Sequence, residues 1–311
     1  MTFDYAEFAA AFPWFFPFAA FLFGACVGSF LNVVIYRLPK DESIVTPGSH
    51  CGCGQPIAWY DNIPMLSWLL LRGRARCCGR QFSFRYPFVE LITALLFVAC
   101  WIQFSPAVAI CGWIFIGCLI AATFIDLDHM IIPDVFTIGL AVLGVVISIL
   151  VPALHVRPGE YAFVDSLRAA AASVQGLLIG SALVLWIALL AETVLKKEAM
   201  GFGDVKFVGA IGAFCGWQGA VFAVFGGALV GTVWFLVAKI VEVAAGRKTA
   251  PLPPENLEPE SFERSGFQAD GGLSFGVHVP FGPMLAIAAA LYFLLVRDWV
   301  TAWFDQVSML F

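Results

Sequence analysis

Three aspartates lie where an apolar chain should carry no charge. Asp126 and Asp128 sit in Phe124-Ile125-Asp126-Leu127-Asp128-His129-Met130-Ile131-Ile132-Pro133-Asp134, at the end of a long apolar run. Asp204 sits in Gly201-Phe202-Gly203-Asp204-Val205-Lys206, at the start of another. Ionisable residues at membrane depth are costly, so each is a functional candidate by default. Two carboxylates a few ångströms apart resist double ionisation and share a proton. The ionised partner can activate a water; the protonated one can polarise a peptide carbonyl and then protonate the leaving amine. This chemistry needs neither a serine or cysteine nucleophile nor a metal. The two glycines before Asp204 would let another backbone come close, helix against helix or helix against an extended substrate.

Each of these groups also has a plainer reading. Aspartate at a helix end commonly caps it. Asp134, following Pro133, reads as a helix opening. Asp128 is two residues from Asp126, points elsewhere on a helix, and reads as support for the site. His129 reads as an interfacial side chain. Lys206 either neutralises a carboxylate or follows the charge bias of its membrane face.

The elements that must position the aspartates follow from composition. Of 311 residues, 61% are hydrophobic and 13% charged, about half the charge of a soluble domain, and the mean hydropathy of +0.89 calls for a membrane protein. The net charge of −5 has no basic excess, which argues against a nucleic-acid partner. Residues 1–11 carry Asp4 and Glu7 with no Lys or Arg, the wrong charge for a signal peptide, so the first apolar stretch is expected to remain as a span.

Spanning helices need about 20 apolar residues. The sequence predicts an all-α membrane protein with about eight spans, near 13–36, 86–103, 106–125, 133–152, 168–194, 205–217, 220–243 and 281–297. The apolar stretch 205–243 would run nearly 60 Å as one helix, roughly twice the bilayer core, so it must fold back, at Gly216-Trp217-Gln218-Gly219. The stretch 86–125 turns in the same way at Gln103-Phe104-Ser105-Pro106.

Alternating faces collect all but three of the 17 Lys and Arg residues on one side, leaving only Arg157, Arg168 and Arg297 opposite. By the positive-inside rule the loop 37–85 is cytoplasmic and both termini lie outside the cytoplasm. Asp126 and Asp204, 78 residues apart, then share one depth at the cytoplasmic edge. Three parts are expected: a first span 13–36, the loop 37–85 as a small folded subdomain, and a membrane peptidase part 86–311. A flexible, Pro- and Glu-rich cytoplasmic linker is expected over 246–279.

At these residues the sequence resembles the type IV prepilin peptidases, a family of leader peptidases and N-methyltransferases with Gly-x-Gly-Asp motifs. Segments in the family's order carry the resemblance, over most of the chain. Gly28-Ser29-Phe30-Leu31-Asn32 through Arg37-Leu38-Pro39 looks like its first span. Trp59-Tyr60-Asp61-Asn62-Ile63-Pro64 with Leu66-Ser67-Trp68-Leu69, and Arg85-Tyr86-Pro87-Phe88-Val89-Glu90, look like its cytoplasmic loop. The two aspartate segments resemble its catalytic motifs, with Asp126 seven residues before Pro133, and Pro280-Phe281-Gly282-Pro283 resembles its last-span motif.

The resemblance implies that Asp126 and Asp204 are the catalytic pair. It implies an inner-membrane enzyme acting on type IV prepilins or pseudopilins. Their positively charged leader ends in glycine, before an apolar helix opening with Phe or a similar residue. Cleavage follows the glycine, and the new amine is methylated with S-adenosylmethionine. No soluble-type glycine-rich nucleotide fingerprint is present. By resemblance the cofactor region is the loop, where Asn32, Asp61, Asn62, Arg72, Arg74 and Glu90 are polar candidates or ordinary loop hydrogen-bonders.

Nine cysteines divide into two groups. Cys26, Cys100, Cys111, Cys118 and Cys215 fall in spans and read as small apolar residues. Cys51, Cys53, Cys77 and Cys78 fall in the loop, whose reducing compartment favours zinc over disulfides. Family members usually carry two Cys-x-x-Cys pairs. Here the pairs are shortened to Cys51-Gly52-Cys53 and Cys77-Cys78, and adjacent cysteines are expected to point apart and chelate poorly. Two rivals stand beside the bifunctional reading: a Gly-x-Gly-Asp membrane protease without methyl transfer, and an ion-coupled transporter using Asp126 and Asp204 as ligands. A transporter would place its acids near the bilayer midplane. A thiol-redox protein is weakened by cysteines that face the reducing side.

Overall fold

Inside a bilayer nothing but the chain itself satisfies backbone N–H and C=O groups, so an apolar chain of this kind folds as helices. The computed structural model of the protein describes residues 5–157, 159–196, 201–244 and 280–308. Its helices are α1 (Tyr5–Ala11), α2 (Phe15–Arg37), α3 (Leu66–Leu70), α4 (Arg85–Gln103), α5 (Pro106–His129), α6 (Leu140–Leu150), α7 (Ala162–Leu195), α8 (Phe202–Ala244), α9 (Gly282–Leu291) and α10 (Arg297–Ser308). A π turn, Val135–Gly139, leads into α6, and another, Tyr292–Val296, joins α9 to α10. Among the described residues there is no strand, only the isolated bridges His50–Pro56 and Arg74–Gln81 in the loop.

Six helices are long and apolar enough to cross a membrane, and Val135–Leu150 is a shorter apolar helix. The expectation of eight spans counted that short helix and divided α8. α8 does divide: Gly216 has φ 72° and ψ 178°, outside the helical region and open to glycine. Val208 and Ala220 both lie against Gly180 of α7, so the chain reverses between them. The predicted break between α4 and α5 is equally sharp. Phe104 and Ser105 are extended, and Pro106 opens α5 at the position where its missing N–H costs nothing. The expected linker 246–279 lies outside the described residues, apart from the sequence that frames it.

Small residues set the helix crossings. A Cβ on Gly176 of α7 would overlap the Gly212 carbonyl of α8, and one on Gly212 would overlap the carbonyl of Gly176. On α2, a Cβ at Gly24 would stand 2.7 Å from Ala94 Cα and one at Gly28 2.7 Å from Glu90 Cα, so α2 and α4 touch backbone to backbone. α5 is the most enclosed helix; its Phe115 stacks on Phe214 of α8 at 4.8 Å. The outer faces carry exposed Trp186, Leu190, Phe235 and Leu295, the apolar exterior that lipid requires.

Candidate active site

Asp126 lies in the last turn of α5, and its carbonyl accepts the N–H of Met130 at 2.9 Å. Met130 is left-handed (φ 54°) and ends the helix, so the chain turns away immediately after the acid. Asp126 is buried, 5% exposed. Asp204 lies in the first turn of α8, half-buried. The two carboxylates are within electrostatic reach of each other. Ile132, in the turn after α5, fills the space around them: a Cβ at Gly203 would meet Ile132 Cβ at 3.9 Å, and one at Gly282 would meet Ile132 Cδ1 at 3.0 Å.

A third element enters here. Gly282 opens α9 and presents its backbone amide to the Asp126 carboxylate. A Cβ at Gly282 would overlap Asp126 Oδ2, so no other residue permits this approach. The last-span motif was legible in the sequence, but nothing in it indicated that Gly282 touches Asp126.

Two ion pairs frame the site. Asp128, as expected from its spacing, faces away from Asp126 and accepts a bond from Arg85 Nη1 at 2.7 Å. Arg85 also donates to the Phe124 carbonyl at 3.2 Å and covers the Phe124 ring, tying the start of α4 to the end of α5. Asp134 pairs with Lys206, which holds its carboxyl below the usual range and joins the turn after α5 to the start of α8. Sequence separations of 43 and 72 residues hid both pairs. Lys206 does neutralise a carboxylate, and that carboxylate is Asp134.

The loop between α2 and α4 is folded. Arg76 grips Asp61 through Nε and Nη2 (2.9 and 2.8 Å) and holds that carboxyl below its ordinary range. The cysteines correct the expectation drawn from their shortened spacing. Cys51 lies 3.5 Å from Cys78 and Cys53 3.4 Å from Cys77, and all four sulfurs fall within 4.8 Å of one another. Two tight turns make this possible, with Gly54 N–H bonding the Cys51 carbonyl and Gly79 N–H the Ala75 carbonyl, both at 2.8 Å and both glycines at positive φ. Sulfurs about 2.3 Å from a tetrahedral zinc stand just under 4 Å apart, so the four thiols fit zinc. The cluster shares its protons unequally. The Cys53 backbone amide draws Cys51 down to about 7, while the hydrogen bond with the Cys53 thiol chiefly pushes Cys77 up to about 12.

Beneath the loop is a cavity of about 980 Å³ between α2, the start of α4 and the loop itself. It gathers Asn32, Asp61, Asn62, Arg74 and Glu90, five of the six polar candidates; Arg72 is not in its wall. Its size is that of a small-molecule site, at the upper end of the common range of about 300–1,000 Å³.

The family model described as "Bacterial Peptidase A24 N-terminal domain" matches residues 22–104, and "Type IV leader peptidase family" matches residues 113–236. A prepilin leader peptidase/N-methyltransferase of Myxococcus xanthus (strain DK1622) is 40% identical, over 91% of this chain and 92% of the relative. One of Aeromonas hydrophila is 34% identical over 96% and 97%. One of Pectobacterium carotovorum subsp. carotovorum is 37% identical over 75% and 87%. No solved structure matches the chain.

Proposed function

The chain belongs to the type IV leader peptidase family, and on that premise we propose that it removes the leaders of type IV prepilins or pseudopilins and methylates the amine so released. The observation that carries the reading is that Asp126 and Asp204 lie within electrostatic reach of each other. One comes from the last turn of a helix and the other from the first turn of a helix far along the chain, with the Gly282 backbone against Asp126.

Asp126 and Asp204 share a proton. The ionised partner takes a proton from water as the oxygen attacks the carbonyl carbon of the glycine that ends the leader. The protonated partner hydrogen-bonds the carbonyl oxygen. The tetrahedral intermediate then collapses as the leaving nitrogen receives a proton from the pair. Arg85 with Asp128 ties α4 to the end of α5, and Lys206 with Asp134 ties the turn after α5 to the start of α8, so the pairs hold the two segments that bear the acids. The enclosure of Asp126 limits water around the pair and strengthens their interaction.

The site faces the cytoplasm and the protein is a multi-pass protein of the bacterial inner membrane. Support comes from the Lys and Arg excess of loop 37–85, where a substrate's charged leader would remain while its apolar helix stays in the lipid bilayer. Cys51, Cys53, Cys77 and Cys78 hold a structural zinc that closes the loop. S-adenosylmethionine supplies the methyl group as an electrophilic sulfonium, and the polar wall of the loop cavity binds it. The acids fall at the cytoplasmic edge in this topology, whereas a carrier puts its ligands near the bilayer midplane, which counts against the transporter reading.

The test is incubation of the purified enzyme with a model prepilin, with and without S-adenosylmethionine, and mass spectrometry of the product. Cleavage after the glycine and a product heavier by one methyl when the donor is added are expected. An intact substrate would refute the peptidase reading, and a cleaved, unmethylated product the methyltransferase reading.

A further inference from the structure

Glu90 is 8% exposed and lies in the second turn of α4, a helix long and apolar enough to cross a membrane. Gly28 of α2 presses against its backbone, and its Oε2 accepts the Met65 amide at 2.6 Å. That bond anchors the loop where it enters α3, at a residue with positive φ. Among the described residues the ion pairs are Arg76–Asp61, Arg85–Asp128 and Lys206–Asp134, and none includes Glu90. A buried carboxylate without a cation is costly, and a cationic ligand offsets that cost.

Glu90 forms part of the wall of the 980 Å³ cavity. α4 divides this cavity from α5. Tyr86, Pro87 and Glu90 line the cavity, while Arg85 pairs with Asp128 and Phe88 packs on Phe124, beside Asp126. An amine released at Asp126 is one helix away from Glu90.

We propose that, in the cavity assigned above to the methyl donor, Glu90 receives the new N-terminal amine of the processed substrate and takes its proton. The inference rests on the function proposed above. An N-terminal ammonium loses its proton near pH 8, at about 7.7–8.0, so near neutrality most of it is charged and a base speeds the reaction by freeing the lone pair. The ammonium gives one proton to the Glu90 carboxylate. The freed nitrogen lone pair forms the N–C bond to the donor methyl as the S–C bond breaks. The bond's electron pair stays on sulfur, which becomes a neutral thioether, and the product is a secondary ammonium. A carboxylate suits both ligands, since each brings a positive charge to the cavity.

The test uses Glu90→Gln, which keeps an oxygen for the Met65 amide and removes the base. Leader cleavage at the wild-type rate, calorimetric affinity for S-adenosylhomocysteine within about threefold, and methyl transfer at pH 7 slowed about tenfold or more are expected. Methylation within about threefold of wild type would overturn the role of Glu90. A second measurement needs no variant: ultraviolet photolabelling of the wild type with methyl-tritiated S-adenosylmethionine, mapped by proteolysis. Label within 26–52 or 57–90, the stretches that line the cavity, supports the proposal; label elsewhere, or none, overturns it. If Glu90→Gln also loses cleavage, the label on the wild type still tests the proposal, because label outside the cavity wall overturns a role for Glu90 in methyl transfer. A wild type that cleaves but never methylates instead defeats the proposed function, a different outcome from a wild type and variant that methylate alike.

Discussion

Gly282→Ala adds one methyl group at the point where α9 meets Asp126. The new Cβ would overlap Asp126 Oδ2 and stand 3.0 Å from Ile132 Cδ1, so the Asp126 carboxylate and the tip of Ile132 must give way to it. Ordinary carbon–oxygen contact requires the carboxylate to retreat by about an ångström, and a misplacement of that size costs on the order of 100-fold in rate. In free energy this is about 3 kcal/mol of transition-state stabilisation. The expected outcome is a kcat for prepilin cleavage lower by about that factor, with little change in KM, because the methyl meets the acid and not the substrate's bulk. The assay is steady-state cleavage in detergent, with the melting temperature measured alongside. At Gly203 the same methyl would meet only Ile132 Cβ at 3.9 Å, so Gly203→Ala should melt within about 2 °C of wild type. Gly282→Ala cleaving at the wild-type rate would refute the claim that α9 positions Asp126.

Arg85→Ala removes a half-exposed ion pair worth at most about 1 kcal/mol, so cleavage should fall by less than about tenfold in the same assay. The purified protein should carry about one zinc per chain by atomic emission, and Cys51→Ser should lose it and shift the fluorescence of Trp59 and Trp68; a metal-free wild type would contradict the zinc assignment. His155 lies between α6 and α7 with Nε2 3.0 Å from Ser148 Oγ and 3.1 Å from the Ala213 carbonyl. Burial first, and the charge of Arg297 second, lower it from 6.5 to about 4. The folded pKa is depressed, so its contribution to stability is complete above pH 6.5 and is lost as pH falls to about 4, a change of roughly 3 kcal/mol. Melting temperature in detergent should drop across that window in the wild type and much less in His155→Gln.

The sequence and the structure agree where local chemistry decides. Pro106 marks a helix start, Gly216 a reversal, and the length of the apolar runs required both. The aspartates were legible because charge at membrane depth is conspicuous. The framing pairs Arg85–Asp128 and Lys206–Asp134 were hidden because partners far apart in sequence meet only once the helices pack. Gly282 was visible as part of a motif, but its role depends on a third helix end arriving at Asp126. The cysteine spacing misled for a related reason. A Cys-x-Cys pair and an adjacent pair each chelate poorly alone, and the turns at Gly54 and Gly79 face the two pairs toward one point. Among the polar loop residues nothing distinguished Glu90 from Arg72 until the cavity took one into its wall and left the other out.

The most direct test of the central claim is cleavage of a model prepilin by wild type, Asp126→Asn, Asp204→Asn and Asp128→Asn, with mass spectrometry of the new N-terminus. The account predicts that the first two variants each abolish cleavage on their own and that Asp128→Asn, which loses only its pair with Arg85, retains it. Cleavage by both Asp126→Asn and Asp204→Asn would contradict it.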